Sequence, residues 1–121
     1  MARIHVSGIN DEALAIITTD CREVISGLNP DGDGRIFYLT QLIVANESLT
    51  AMGQFELWDQ DEATDVSDGA TTCRGSILIG PGDTVKVNWG AGEMPFVTNC
   101  VASITAGTVA IGGVHAAGYL A

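Results

Sequence analysis

Phe37-Tyr38-Leu39-Thr40-Gln41-Leu42-Ile43-Val44-Ala45, and further along the chain Leu78-Ile79-Gly80-Pro81-Gly82-Asp83-Thr84-Val85-Lys86-Val87, decide how this sequence folds. Both are dense in β-branched, aromatic and other apolar side chains, the composition of a pleated, half-buried surface. The second is interrupted by Gly-Pro-Gly-Asp, residues that preset a turn or accept φ > 0. Strand, turn, strand is therefore the local unit. The same alternation between turn signals places further strands near residues 3–7, 14–19, 22–27, 53–59, 74–80, 84–89, 96–104 and 107–115, with the first run extending over 35–45. Helical spacing is confined to Asn10–Ile17, where Asn10 or Asp11 caps a turn bearing Leu14 and Ile17. The expected fold is all-β: an antiparallel β-sandwich or jelly roll with at most one short helical turn.

Alternation assigns faces. Phe55 and Leu57 point one way, and Gln54, Glu56 and Trp58 the other; Val85, Val87 and Trp89 share an inward face. In the 96–104 run both parities are fairly apolar, as in a central strand covered on each side. Tyr38, Leu42 and Val44 fall on one parity of the 35–45 run and Phe37, Leu39 and Ile43 on the other, so this strand also reads as doubly buried. At 121 residues, with 46% apolar and 17% charged residues and a mean hydropathy of +0.27, residues 1–121 read as a single folded domain. Residues 1–7 read as an N-terminal arm and 113–121 as a C-terminal tail. No continuous apolar run reaches signal-peptide or spanning length, which points to synthesis in the cytoplasm.

Charge restricts the partners. Five basic residues against fifteen acidic ones give a net charge of −10, a surface that repels phosphate; neither nucleic acid nor an anionic membrane is an expected partner. Six acids and no base occur between Glu56 and Asp68, which reads as a solvated loop. After Glu93, by contrast, no Asp, Glu, Lys or Arg occurs through Ala121. Two readings fit that stretch: a central strand with a small-residue hairpin, or a segment lying in a subunit interface, whose buried part is depleted in charge.

Few residues form a chemical constellation. Asn29, Asp31 and Asp33 take the first, third and fifth positions of an EF-hand-like calcium loop, with Gly34 and Ile36 also in place, but the twelfth position is Thr40 where a bidentate Glu belongs. The other reading of Asn29–Gly34 is an Asp/Gly-rich turn, and calcium is the single cofactor the sequence suggests. His5 and His115 are the only histidines, far apart in sequence and without a nucleophile or metal-site signature. Cys21, Cys73 and Cys100 permit one disulfide but no framework, and read as reduced, at least partly buried thiols. Trp58, beside the acidic loop, is the candidate exposed aromatic for stacking on a sugar ring. No catalytic residue is assigned, and the chain does not read as an enzyme.

Tyr38-Leu39-Thr40-Gln41-Leu42-Ile43-Val44-Ala45-Asn46-Glu47-Ser48, then Phe55-Glu56-Leu57-Trp58-Asp59, Pro81-Gly82-Asp83-Thr84-Val85 and Ala106-Gly107-Thr108 follow one another in an order that resembles small β-sandwich virion proteins of tailed bacteriophages, the capsid decoration or cement proteins. The likeness spans roughly residues 35–115. It implies a structural protein on the virion's capsid surface, made in the host cytoplasm, that binds the lattice of major capsid protein as a homotrimer and stabilises the shell. Arg3, Ile4, His5 and Val6 of the arm and Tyr119 and Leu120 of the tail are the candidate partner contacts. The alternative is a carbohydrate- or receptor-binding β-sandwich module of a phage fibre or cell surface, with calcium as its candidate cofactor, in which Trp58 lies exposed near the Asp-rich loops.

Overall fold

A computed structural model describes residues 3–10, 21–61, 72–106 and 113–121. Among these the strands are β1 (Ile4–Asn10), β2 (Arg22–Glu23), β3 (Phe37–Ala45), β4 (Gly53–Asp59), β5 (Cys73–Ile79), β6 (Thr84–Asn88), β7 (Pro95–Phe96), β8 (Cys100–Ala106) and β9 (Gly113–Leu120). They form two antiparallel sheets. The first runs β1-β9-β3-β6, with the two-residue β7 also on β3; the second runs β2-β8-β4-β5. With β7 set aside, the outermost strands of the sequence pair with each other, and so do each next pair inward: β1 with β9, β2 with β8, β3 with β6 and β4 with β5. One long antiparallel hairpin has been rolled into two layers, which is a jelly roll.

Between the layers lies one apolar cluster. Phe37, Leu39, Leu42 and Val44 of β3 and Val114, Ala116 and Leu120 of β9 meet Phe55 and Leu57 of β4 and Cys100, Ala102 and Ile104 of β8. Phe96 adds a third fully buried ring, 6.3 Å from that of Phe37. The inward assignments of Phe55, Leu57, Val85 and Trp89 hold, since all four belong to or pack against this cluster.

The face assignment of β3 is corrected. Its register against β9 shifts between Leu39 and Gln41, a β-bulge that inserts one residue and switches the parity. Phe37 and Leu39 before the bulge, and Leu42 and Val44 after it, therefore all point inward, while Tyr38, Gln41 and Ile43 lie half-buried on the outside. The strand is buried on one face, not two. The 22–27 strand is also corrected: only Arg22–Glu23 pairs, and Val24, Ile25 and Leu28 turn into the core instead. The 96–104 run divides, with Phe96 in the first sheet and Cys100–Ala106 in the second. Its doubly covered character holds on β8, where Val101 and Ser103 on the outer side are as fully buried as Ala102 and Ile104 on the inner.

The arm and tail are corrected as well. Residues 4–10 pair along their length with 114–120, and β9 is an interior strand between β1 and β3. Of the charge-free stretch, Cys100–Ala106 and Gly113–Leu120 form two interior strands, β8 and β9. The expected strand at 14–19, the helical turn after Asn10, most of the acidic loop and residues 107–112 lie outside the described residues.

Candidate interaction surfaces

At one end of the roll the motif residues Asn46 and Ser48 meet the Pro-Gly turn. Asp83 N–H donates to the Gly80 carbonyl at 3.1 Å, closing a turn with Pro81 second and Gly82, at φ 72°, third. That is a type II turn, which demands a residue tolerant of positive φ at its third position. Asn46, 3% exposed, clamps this turn to its neighbour: its Nδ2 donates to the carbonyls of Ala51, Ile79 and Gly80 at 3.0–3.2 Å. Its Oδ1 accepts from Ser48 N–H at 3.0 Å, and Ser48 Oγ in turn accepts from Thr50 and Ala51 N–H. Gly82 N–H donates to the Ser48 carbonyl at 2.7 Å, lacing the two loops together.

The result is a pinned knuckle, and its tip is apolar. Leu49 is 82% exposed, Met52 54% and Leu78, beside it at the end of β5, 65%. Glu47 and Asp83, in the same two loops, are exposed as well. An exposed apolar cluster held on a rigid support is a feature of binding surfaces. Asn46→Ala removes the clamp and takes away the two N–H groups that the three carbonyls share, so it is expected to cost about 2–3 kcal/mol in urea unfolding. Amide exchange at residues 46–52 and 80–83 is expected to rise while that of β8 stays slow; uniform exchange across both would contradict the clamp.

The outer face of the first sheet has the opposite character. None of its five strands contains Asp or Glu, although the chain has fifteen. Tyr119, only 6% exposed, stacks on Tyr38 at 5.0 Å between ring centres; the Arg3 guanidinium sits 4.4 Å over the Tyr119 ring, and His5 meets its edge at 6.3 Å. His115 lies on the same face through the antiparallel pairing of β1, β9 and β3. Lys86 stands exposed opposite Ile43. The sequence suggested contacts at Arg3, Ile4, His5, Val6, Tyr119 and Leu120, and the structure divides that set. Arg3, Ile4 and His5 are exposed, Val6 packs against the core, and Leu120 is a core residue. Tyr119 and Leu120 are a built-in part of β9 and not a flexible tail.

Trp58 is not the exposed platform its position suggested. It is 6% exposed, packed with Cys21, Val101 and Cys73, and its Nε1 donates to Ser103 Oγ at 3.0 Å. Alternation places it correctly on the outer side of β4, but that side is covered here. In the 29–34 loop, Asn29 Oδ1 accepts from Gly32 N–H, and Asp33, Gly34 and Arg35 N–H donate back to the carbonyls of Asn29, Asp31 and Pro30. These bonds, with Gly34 at φ 64°, make the segment a closed turn that leaves the Asp31 and Asp33 side chains exposed. Among the described residues no group of three or more His, Cys, Asp or Glu is placed to hold a metal ion.

One polar residue that the sequence did not single out organises the opposite end. Asp59, at the end of β4, accepts from the N–H groups of Val97 (3.0 Å), Thr98 (2.8 Å) and Asn99 (3.3 Å), and pairs with Arg74 Nη2 at 3.2 Å. It holds residues 97–99 as the chain crosses from the first sheet to the second. The signal was present as the Asp closing the Leu57-Trp58-Asp59 stretch, but its partners lie far along the chain.

All three cysteines are free thiols; Cys21 and Cys100 are buried and Cys73 partly so. Burial, and secondly the Asp59 charge, raise the Cys100 pKa well above the ordinary 9.0. Above about pH 9 the unfolded chain loses this proton and the folded one keeps it, so stability falls as pH rises. The denaturation midpoint of the wild type is expected to drop more steeply above pH 9 than that of Cys100→Ala; equal slopes would contradict the assignment.

No family model and no curated protein matches this chain. Among solved structures it is similar to the coat protein of tobacco streak virus, with a TM-score of 0.50, 12% identity, and coverage of 96% of this chain and 83% of that one. At that identity the likeness speaks to the fold, and it agrees with the strand order: an all-β, two-sheet antiparallel sandwich.

Proposed function

We propose that the protein is a structural component of a virion, a decoration subunit that docks as a homotrimer on the lattice of major capsid protein and stiffens the shell. Jelly rolls serve capsids, lectins and cupins alike, so the reading must come from the side chains. The observation that carries it is the pinned knuckle with its exposed Leu49, Met52 and Leu78. A rigid apolar prominence gains by being covered by another protein and offers nothing to a reaction. The similarity to a coat protein over 96% of the chain is in keeping with this use of the fold. The net charge of −10 suits docking against a basic patch and keeps unassembled copies apart. The sugar- or receptor-binding alternative relied on an exposed Trp58, and that ring is buried.

The test is to add purified protein to capsid-protein shells assembled without it and sediment them. Saturable recovery in the pellet, at a fixed ratio to capsid protein, is expected. Protein remaining in the supernatant at every concentration would overturn the reading.

A further inference from the structure

The two surfaces of this molecule are complementary to each other. The strands of the first sheet contain no Asp or Glu, and their outer face carries Arg3, His5 and Lys86 around half-buried Tyr38 and Ile43. The knuckle exposes the apolar Leu49, Met52 and Leu78, and its loops carry the exposed acids Glu47 and Asp83. From this pairing we infer that the outer face of the first sheet receives the knuckle of a second copy of the same chain. The inference rests on the multi-copy reading above and identifies the surfaces through which the copies meet.

The contact is head-to-tail. Two sheet faces laid on each other would oppose Arg3 and Lys86 to the same cations of the partner, and two knuckles would oppose Glu47 and Asp83 to themselves; only face against knuckle joins unlike charge to unlike charge and apolar to apolar. A contact between two different patches leaves one of each unused in a pair, so it propagates, and it ends in a ring where the rotation between copies closes. A homotrimer is such a ring. The absence of Asp and Glu from five strands of so acidic a chain follows directly: a carboxylate there would face the acidic rim of the incoming knuckle.

Leu49→Asp spoils the knuckle at a site that is 82% exposed, and Lys86→Glu with Arg3→Glu spoils the face at exposed positions, so each variant is expected to keep the wild-type fold by circular dichroism. In sedimentation velocity, the wild type is expected to form closed oligomers that weaken as salt is raised, because the rim pairs are screened. Each variant alone is expected to remain monomeric at concentrations where the wild type assembles, a loss of at least about tenfold in affinity. Mixed, they are expected to form a one-to-one dimer and nothing larger, since one intact face meets one intact knuckle.

A monomeric wild type at all concentrations, a Leu49→Asp protein that assembles normally, or a mixture that stays monomeric would each overturn the inference. Shell binding by a protein that never self-associates would sink the inference and the homotrimer with it, and leave docking on the shell standing. Self-association of a protein that ignores shells would do the reverse.

Discussion

Asp59→Ala is expected to lower the unfolding free energy by about 3–5 kcal/mol, the loss that follows when one partner of a buried, hydrogen-bonded ion pair is removed. The carboxylate is 7% exposed and receives three consecutive backbone N–H groups, from Val97 to Asn99, as well as the Arg74 guanidinium. Truncation leaves those N–H groups without an acceptor in a place that water reaches poorly, so each desolvation cost is felt in full. The damage is also topological, since residues 97–99 carry the chain from β7 in one sheet to β8 in the other. Asp59→Asn keeps the volume and one carbonyl oxygen but turns an amide toward the N–H groups, so it is expected to recover only part of the loss. Urea unfolding of the three proteins measures this directly. If the Ala variant lay within about 1 kcal/mol of wild type, the crossing would not depend on this residue.

Gly118→Ala is expected to cost about 3 kcal/mol or more, or to prevent folding. Gly118 sits in β9, the interior strand of the first sheet, paired with Val6 on one side and Leu39 on the other. A methyl group there would collide with the carbonyl oxygen of Tyr38, which is backbone, and would lie 2.7 Å from Cζ of Phe37. The ring of Phe37 is itself fully buried in the close-packed core, so it cannot move aside without displacing its neighbours. By contrast, Gly75→Ala in edge strand β5 meets no neighbouring atom and is expected to be close to neutral. A thermal melt comparing the two separates crowding from the general effect of adding a side chain to a strand. Equal shifts for both would contradict the packing described around Phe37.

These two residues show which parts of the fold could be read from the sequence. β4 was legible because its alternation is strict and its bounds are set by Gly53 and by the acidic run after Asp59. The Gly80-Pro81-Gly82-Asp83 turn was legible because its chemistry is local. β3 was assigned the wrong faces because its bulge at Thr40 is a matter of register against β9, which no alternation within β3 reveals. β9 itself was cut short and taken for a tail: Ala116, Ala117 and Gly118 carry little strand preference, and the absence of a side chain at Gly118 is dictated by the crowding of Phe37 and the Tyr38 carbonyl across the sheet. Trp58 was given the right side of its strand and the wrong environment, because coverage by Cys21 and Val101 joins segments distant in sequence.

The candidate surfaces were legible only in part. The Asn46–Ser48 and Pro81–Gly82 elements could be seen to follow in order, but that Asn46 ties one to the other depends on three carbonyls from two loops. The carboxylate-free face was foreshadowed by the uncharged end of the chain. It became a surface only when β1, β3 and β6, from elsewhere in the sequence, were laid beside β9.

The central claim is that this molecule acts by covering and being covered, not by turning over a ligand. Its most direct test is the disruption temperature of capsid-protein shells, followed by light scattering as wild-type protein is added. The account predicts a rise that saturates at a fixed protein-to-capsid ratio and is lost with Leu49→Asp. A disruption temperature unchanged at full addition would contradict it.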